Sequence, residues 1–330
     1  MRQTIYNRSI LVIMLGAARP SGCLLMEVMP VMFMFTDYDQ HLLDHVHKLH
    51  FIGCGGSGMY PLIQILAAKG YQITGSDVLD GTIIRAEREM GVQVTLGHKA
   101  DNVIGSDMVV YSAAIAKDNV ELCAAESYGI PTIERSVLLG YVGRLYKDSI
   151  CVSGTHGKTT TTAMIATALE LAGRDPSAVI GGKLPLIGGY GKAGEGDDIV
   201  IEACEYAETF LKLTPYLSVV LNIDNDHLDY YGSMGELKFA FKRFALMTRF
   251  MIFANCDDKN TMDVMYTLDR RVRTFGIQNG GDYQAIHVQE YKPGFYEFDL
   301  KEWDQKETGH IRLGVPGYHN VYNALAMCAV

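Results

Sequence analysis

Two glycine-rich loops in the sequence carry residue types that bind phosphate groups. The first, Gly53–Gly58, reads GCGGSG and fits G-x-G-x-x-G between an apolar run and a helical stretch. Glycines there permit a tight turn, and backbone N–H groups at the following helix start can bind phosphate. Asp77 ends the next apolar run, where an acidic side chain can bind a ribose hydroxyl. This loop predicts a nucleotide or diphosphate ligand. The alternatives are a dehydrogenase using NAD and a tight turn without a ligand.

The second loop, Val152–Thr159, reads VSGTHGKT and also lies between an apolar run and a helical stretch. Its G-K-T end is that of a P-loop, in which Lys158 neutralises the β and γ phosphates and the Thr159 hydroxyl holds Mg²⁺. The strict pattern has glycine where this chain has Val152, so the loop is a variant. It predicts a nucleoside triphosphate site, and two phosphate loops in one chain argue against a simple dehydrogenase.

Acidic and histidine side chains follow two further apolar runs. Glu202 lies in the run IVIEAC, where a buried carboxylate needs a cationic partner or a metal. The alternative for Glu202 is a strand-end acid that reaches solvent. The segment Asn222–Asp229 contains three acids, which solvation alone explains, and His227, which we select as a functional candidate.

Two consecutive α/β domains are expected to position these loops. From Lys48 onward, short apolar runs alternate with helical stretches, as in βα units around a parallel sheet. We predict a Rossmann-like domain at residues 47–146 and a P-loop ATPase-like central domain at residues 147–330. Alternation between Tyr283 and Gly314 predicts antiparallel strands appended to the second sheet. The expected strands lie at residues 48–53, 71–77, 93–97, 107–112 and 130–134, then at 148–154, 198–204, 216–223 and 249–255.

Residues 1–46 are treated as an extension, non-native or mis-started, with Met34 as an alternative start. Arg2 and Arg8 precede a short apolar stretch, which mimics a signal peptide. Arg19 and later prolines interrupt the apolar residues before they could span a bilayer, so no transmembrane helix is predicted.

The composition is that of a folded protein with small-molecule ligands. The 330 residues suffice for about two domains, and 48% are hydrophobic. A net charge of −9 argues against a nucleic-acid partner. The 7 cysteines contain no C-x-x-C pair, so neither a disulfide framework nor a zinc site is expected. A reducing compartment and a need for ATP indicate the cytoplasm, without a membrane partner.

The motifs GCGGSGM, GTHGKTTTT, EACE, NIDNDHLDYY and GYHNVYNALA, in this order, resemble the Mur ligase family. The resemblance runs from about Lys48 to the last residue. It implies a ligase of peptidoglycan precursor synthesis that uses ATP and Mg²⁺ to join L-alanine to UDP-N-acetylmuramate. ATP would phosphorylate the muramate carboxylate, and the alanine amine would then attack the acyl phosphate.

The resemblance also implies site residues. ATP would be bound by Gly154, Thr155, His156, Gly157, Lys158, Thr159, Thr160, Asn320 and Asn323. Thr159 and Glu202 would hold one Mg²⁺ and His227 would hold a second metal ion, with Lys158, Glu202 and His227 as catalytic residues. The UDP-sugar would be bound by Gly53, Gly55, Gly56, Ser57, Gly58, Met59, Asp77, Ser112, Ala113, Ala114 and Ile115. The segment CEYAETF is less acidic than its counterpart in many relatives, which leaves roles for carboxylates other than Glu202 open.

Members of the family have a third domain, which brings the amino acid and which we expect to follow residue 330. The chain by itself is then expected to bind the UDP-sugar without completing the amide. Three alternatives remain: a sister ligase that attaches a recycled murein peptide to the same sugar, an NAD-dependent dehydrogenase, and an inactive truncated UDP-sugar-binding remnant.

Overall fold

The computed structural model describes residues 41–184, 189–304 and 309–330. The strands are β1 Lys48–Ile52, β2 Gln72–Asp77, β3 Gln93–Leu96, β4 Met108–Tyr111, β5 Thr132–Glu134, β6 Asp148–Ser153, β7 Ser177–Leu184, β8 Gly189–Lys192, β9 Asp198–Glu202, β10 Leu217–Val220, β11 Met251–Asn255, β12 Val272–Gly276, β13 Tyr283–Lys292, β14 Phe295–Glu302 and β15 His310–Arg312. The α-helices are α1 Tyr60–Ala68, α2 Thr82–Glu89, α3 Val120–Tyr128, α4 Arg135–Arg144, α5 Lys158–Leu171, α6 Leu228–Tyr231, α7 Met234–Leu246, α8 Lys259–Met265 and α9 His319–Ala329. Short 3₁₀ helices span Ala100–Val103 and Tyr206–Lys212.

The first sheet is five-stranded and parallel, with strand order β3-β2-β1-β4-β5. Its central strand β1 is buried except at its first residue, as expected for a strand covered by helices on both faces. The order reverses between β1 and β4, which creates a crevice at their carboxyl ends. This arrangement confirms the Rossmann-like prediction.

The second sheet is ten-stranded, with order β15-β14-β13-β12-β11-β10-β6-β9-β7-β8. Its parallel centre places the P-loop strand β6 between β10 and β9, so the segments after all three strands meet at one edge. Strands β13, β14 and β15 are antiparallel, which confirms the predicted appended strands. The sequence analysis did not place β7, β8 and β12, of which β7 and β8 form an antiparallel pair.

The two sheets share one continuous hydrophobic core. A single buried cluster contains Leu49 and Phe51 of β1 together with Ile199 and Ile201 of β9. Helix α1 lies against β7 and β8. A Cβ at Gly191 would meet the Pro61 ring, so only glycine permits this contact. The loops that follow β1 and β6 are therefore held in one packed body.

The start of the first domain lies earlier than predicted. Leu42 and Leu43 fall within the predicted extension of residues 1–46, yet only 6% and 2% of their surface is exposed, and they pack in the shared core. These two residues belong to the folded domain because their burial removes apolar surface from water. The interpretation of residues 1–40 lies outside the described residues.

Candidate functional site

A cavity of about 410 Å³ lies at the crevice of the first sheet. Its walls come from the loop after β1, the end of β2, the start of α2 and the loop after β4. Of the residues selected from the sequence, it is lined by Gly53, Gly55, Gly56, Asp77, Ser112, Ala114 and Ile115. Gly53 has φ +76°, a left-handed conformation that favours glycine, and its turn begins the loop.

Asp77 ties the glycine-rich loop to the end of β2. Its Oδ2 accepts a hydrogen bond of 2.9 Å from the Gly55 N–H, and its Oδ1 accepts one of 3.0 Å from the Leu79 N–H. A Cβ at Gly55 would lie 3.0 Å from this carboxylate, so glycine permits the close approach. Each carboxylate oxygen keeps a further lone pair for a ligand hydroxyl.

Four residues selected for the same site do not line the cavity. Met59 is 1% exposed, because α1 begins at Tyr60 and the Met59 side chain packs into the core. Gly58 lies beneath the Arg135 guanidinium, whose atoms are 3.3 Å from where a Cβ would be. Ser57 is partly exposed outside the cavity wall, and Ala113 lines a neighbouring cavity.

The cavity also contains residues that the sequence analysis missed. Val78 and Leu79 follow β2 and expose 67% and 73% of their surface at the rim. His98, which follows β3, forms part of the wall. Exposed apolar side chains beside glycines provide a surface for a flat ring. The apolar pair directly after Asp77 was the available sequence signal, whereas nothing marked His98.

The second loop places Lys158 at the start of α5, where three oxygen atoms surround its ammonium group. Lys158 Nζ donates to the Gly154 carbonyl at 2.6 Å and to the Thr155 carbonyl at 3.1 Å. It also lies 2.9 Å from the Glu205 carboxylate, whose side chain is 2% exposed. The buried ion pair fixes the lysine against the loop, with its charge near the N-terminus of α5.

Glu205 is the main site residue that sequence reasoning missed. It follows Glu202 by three residues, in the segment whose acids the sequence left without roles. The chain turns sharply there, with Ala207 and Glu208 at φ +51° and +56°, and this turn brings Glu205 beside the P-loop. Tyr231, at the end of α6, donates from its Oη to the Glu205 carbonyl and so holds this turn in place.

Thr159 and Glu202 present neighbouring oxygen atoms, as a divalent cation requires. The Thr159 hydroxyl donates to Glu202 Oε1 at 2.8 Å, and Glu202 Oε2 accepts 2.6 Å from the Gly181 N–H of β7. The side chain of His227 is 32% exposed, and its Nε2 lies 3.9 Å from Glu205. Within residues 41–184, 189–304 and 309–330, no three His, Cys, Asp or Glu side chains form a metal-binding group. A hydroxyl and one carboxylate nevertheless fit Mg²⁺, because this ion keeps several waters and binds phosphates.

Reciprocal hydrogen bonds clamp the P-loop to the segment after β10. The His156 N–H donates to Asn222 Oδ1 at 2.7 Å, and Asn222 Nδ2 donates to the His156 carbonyl at 3.0 Å. The Thr155 N–H donates to the Asn222 carbonyl at 3.0 Å, and the Asp224 N–H donates to Thr155 Oγ1 at 2.9 Å. The loop thus has a fixed shape that does not depend on Lys158 alone.

Helix α9 closes one side of the second loop with two buried asparagines. Asn323 Nδ2 donates to Asn320 Oδ1 at 2.8 Å, and Asn320 Nδ2 donates to the Pro316 carbonyl at 2.7 Å. A Cβ at Gly157, where φ is +88°, would lie 2.5 Å from Asn323 Oδ1. The structure therefore places Asn323 against the P-loop and Asn320 next to Asn323, with both amides already hydrogen-bonded. Thr160 lies one residue further along α5, facing an apolar groove.

No helix among the described residues is long and apolar enough to cross a membrane.

Comparisons with known proteins agree with this geometry. The model of the Mur ligase family catalytic domain matches residues 48–147, and the model of the Mur ligase middle domain matches residues 152–330. The chain therefore belongs to the Mur ligase family. These ranges correspond to the two sheets described above.

Two similar proteins from different bacteria carry the same name. The chain is 42% identical over 290 residues to the UDP-N-acetylmuramate–L-alanine ligase of Caldanaerobacter subterraneus, covering 87% of this chain and 63% of that protein. It is 39% identical over 293 residues to the ligase of the same name from Alkaliphilus metalliredigens, covering 88% and 63%. The chain thus spans less than two thirds of the length of these relatives.

Two solved structures have a similar fold. The UDP-N-acetylmuramate-alanine ligase of Thermotoga maritima matches with TM-score 0.75 and 29% identity, covering 86% of this chain and 64% of that one. The UDP-N-acetylmuramate:L-alanyl-gamma-D-glutamyl-meso-diaminopimelate ligase of Neisseria meningitides matches with TM-score 0.77 and 26% identity, covering 86% and 92%. The fold does not separate these two ligases.

Proposed function

We propose that this chain provides the UDP-sugar site and the Mg-ATP site of a ligase that joins L-alanine to UDP-N-acetylmuramate. The single observation that carries the proposal is that two sites occur on one packed body. One is the crevice with the glycine-rich loop, and the other is the P-loop with Lys158 and Thr159, beside which Glu202 lies. Identities of 42% and 39% to alanine ligases favour alanine as the amine.

In the proposed reaction, an oxygen of the muramate carboxylate forms a bond to the γ-phosphorus, and the bond to the ADP oxygen breaks. The alanine nitrogen then forms a bond to the acyl carbon, phosphate leaves, and the nitrogen loses a proton. Phosphoryl transfer depends mainly on alignment and on neutralising charge. Lys158 supplies a fixed positive charge at the phosphates, and the first N–H groups of α5 add their dipoles.

Thr159 and Glu202 would hold Mg²⁺, and His227 would hold a second metal ion. When bound, these ions would supply positive charge to the phosphates and to the substrate carboxylate. Glu205 holds the Lys158 ammonium group against the loop, which orients it before ATP arrives. Asp77 and the loop from Gly53 would hold the ribose and diphosphate at the other site.

Binding measurements test the two sites separately. We expect the chain to bind UDP-N-acetylmuramate and, at a second site, the Mg²⁺ complex of a non-hydrolysable ATP analogue. Calorimetric titrations in both orders should each give one ligand per chain. Absence of nucleotide binding at the second loop would contradict the proposal.

A second candidate function is the sister ligase, because its solved structure is as similar in fold as that of the alanine ligase, with TM-scores of 0.77 and 0.75. The 330-residue chain alone is expected not to complete the amide, so the amine is tested with a longer version of the protein that spans the full length of its relatives. This longer protein is supplied with ATP, Mg²⁺ and UDP-N-acetylmuramate, together with either L-alanine or the tripeptide that the Neisseria enzyme's name describes. Detection of UDP-N-acetylmuramoyl-L-alanine by mass spectrometry would support the proposal. A product formed only with the tripeptide would favour the sister ligase.

A further inference from the structure

The first domain contains a buried carboxylate to which the proposed function assigns no role. Glu121, in the first turn of α3, is fully buried and accepts hydrogen bonds from Ser76 Oγ at 2.5 Å, from Lys99 N at 3.2 Å and from the Asn102 amide. His50 Nε2 lies 3.4 Å away. Burial opposes the charged form, but the hydrogen bonds from His50, Ser76 and Asn102 outweigh it and lower the pKa of Glu121 to about 2. The carboxyl group is ionised at neutral pH and accepts hydrogen bonds only.

Ser76 connects this carboxylate to His98. The short distance from Ser76 Oγ to Glu121 requires the serine proton to lie between the two oxygens, because two oxygens without a proton would repel each other. Ser76 Oγ is then an acceptor toward His98 Nδ1, which lies 3.1 Å away. His98 Nδ1 also lies 3.4 Å from Glu121 itself. Both neighbours of Nδ1 therefore accept, and Nδ1 must carry the proton.

A neutral imidazole with its proton on Nδ1 has a lone pair on Nε2. In the part of the chain that the structure describes, Nε2 of His98 has no hydrogen-bond partner, while the residue lines the cavity. The cavity wall thus offers an acceptor held in one tautomer by two buried side chains. Such an acceptor selects a ligand group that donates a hydrogen bond, as an N–H does.

Strand order places His98 at the base end of the cavity. The glycine-rich loop follows β1, Asp77 ends β2, and His98 follows β3, the next strand outward. A nucleoside diphosphate with its phosphates at the loop and its ribose at Asp77 directs its base toward His98 and the exposed Leu79. Uracil has an N–H at ring position 3, whereas cytosine has a lone pair there.

We propose that Glu121 and Ser76 are positioning residues that fix His98 as the Nδ1–H tautomer, and that His98 Nε2 accepts the N3–H of uracil and so discriminates against cytosine. The inference rests on the proposed UDP-sugar site. It adds His98 as a residue that recognises the base, and Glu121 with Ser76 as the buried pair that sets the His98 tautomer.

The tautomer is measured first, without ligand. Nitrogen-15 NMR of the imidazole should show His98 of the 330-residue chain as the Nδ1–H form, and Ser76→Ala should shift it toward Nε2–H. A wild-type His98 in the Nε2–H form or as an imidazolium ion would overturn the inference.

Base discrimination is measured with UDP, CDP and N3-methyl-UDP as probes. We expect UDP to bind roughly tenfold to hundredfold more tightly than either analogue, since each leaves the His98 acceptor unpaired. In His98→Ala and Ser76→Ala the ratio should fall below about threefold, through weaker UDP binding. His310→Ala, which removes an exposed histidine of β15, serves as the matched control and should keep the wild-type ratio.

The outcomes separate this inference from the proposed function. The inference is overturned if both variants keep the wild-type ratio of UDP affinity to CDP affinity, or if the wild type binds UDP and CDP equally. Either result leaves the UDP-sugar site intact. A wild type that binds none of the three diphosphates overturns both. Because Ser76→Ala and His98→Ala change different residues, misfolding of one variant leaves the other to decide.

Discussion

The Lys158 ammonium group is bound by two backbone carbonyls and by Glu205, so its position is defined by the protein itself. A lysine on a long flexible side chain normally loses much rotamer freedom when it binds phosphate. Here the surrounding oxygens already restrict that freedom. The arrangement therefore predicts that Lys158 contributes charge at a prepared position.

Lys158→Ala should weaken binding of the Mg²⁺ complex of an ATP analogue by about 10²-fold or more, because a charge-assisted contact to the phosphates is lost. UDP-N-acetylmuramate binding should remain unchanged, since the first cavity lies elsewhere. Calorimetry measures both affinities. Lys238→Ala, which removes a partly exposed lysine paired with Asp263, is the matched control. Equal analogue binding by wild type and Lys158→Ala would contradict the assigned role.

A second prediction concerns Glu87, a fully buried residue of α2 next to the Cys54 thiol. Burial is the main cause that raises its pKa from 4.5 to about 8, with the neighbouring Cys54 thiol opposing the shift and Asp77 adding repulsion. Between pH 4.5 and about pH 8, the native state therefore keeps a proton on Glu87 that the unfolded state has released. The free energy of unfolding should therefore fall as pH rises from about 4.5 through 8, by a few kcal/mol from this group.

Urea denaturation of wild type and Glu87→Gln at pH 5, 7 and 9 measures this effect. The glutamine variant should lose part of the decline with pH, because it has no proton to release. Cys54→Ala removes the neighbour that opposes the shift, so this variant should keep the Glu87-dependent decline and extend it to higher pH. Identical slopes in wild type and Glu87→Gln would refute the interpretation.

At the scale of elements, the P-loop and the segment after β10 act as one unit through Asn222. Asn222→Ala removes two hydrogen bonds to His156. We expect a loss of about 1–2 kcal/mol in the free energy of unfolding and about tenfold weaker binding of the ATP analogue. Asn119→Ala, which removes the N-cap of α3, should cost about 1 kcal/mol of stability without changing nucleotide affinity. Parallel thermal melts and titrations compare the two, and equal nucleotide affinity in both variants would contradict the clamp.

Much of the architecture and part of the sites could be predicted from the sequence. The glycine spacing at Gly53 and Gly157 and the apolar runs predicted both loops and nine strands, because these depend on local residue types. Glu205 could not be found this way, since its place beside Lys158 depends on a turn with positive φ at Ala207. His98 could not be found either, because its place in the cavity wall depends on β3 lying next to β2 in the sheet. The selection of Met59 for the UDP-sugar stays a prediction, since its side chain packs into the core at the start of α1 and does not line the cavity.

At the scale of the whole molecule, one continuous core joins the sheet that carries the first cavity to the sheet that carries the P-loop. A substrate held in the first cavity is thereby kept in a fixed relation to the second loop. Such positioning is what a reaction between a sugar carboxylate and ATP requires. A dehydrogenase that uses NAD does not need the second loop. Binding of NAD or of the UDP-sugar at the first cavity therefore distinguishes the two functions.

The most direct test is a parallel titration of the 330-residue chain with UDP-N-acetylmuramate and with NAD. The account predicts saturable binding of one UDP-N-acetylmuramate per chain, undiminished in Lys158→Ala, and no comparable binding of NAD. Tight NAD binding without a response to the UDP-sugar would contradict the central claim that the first cavity is a UDP-sugar site.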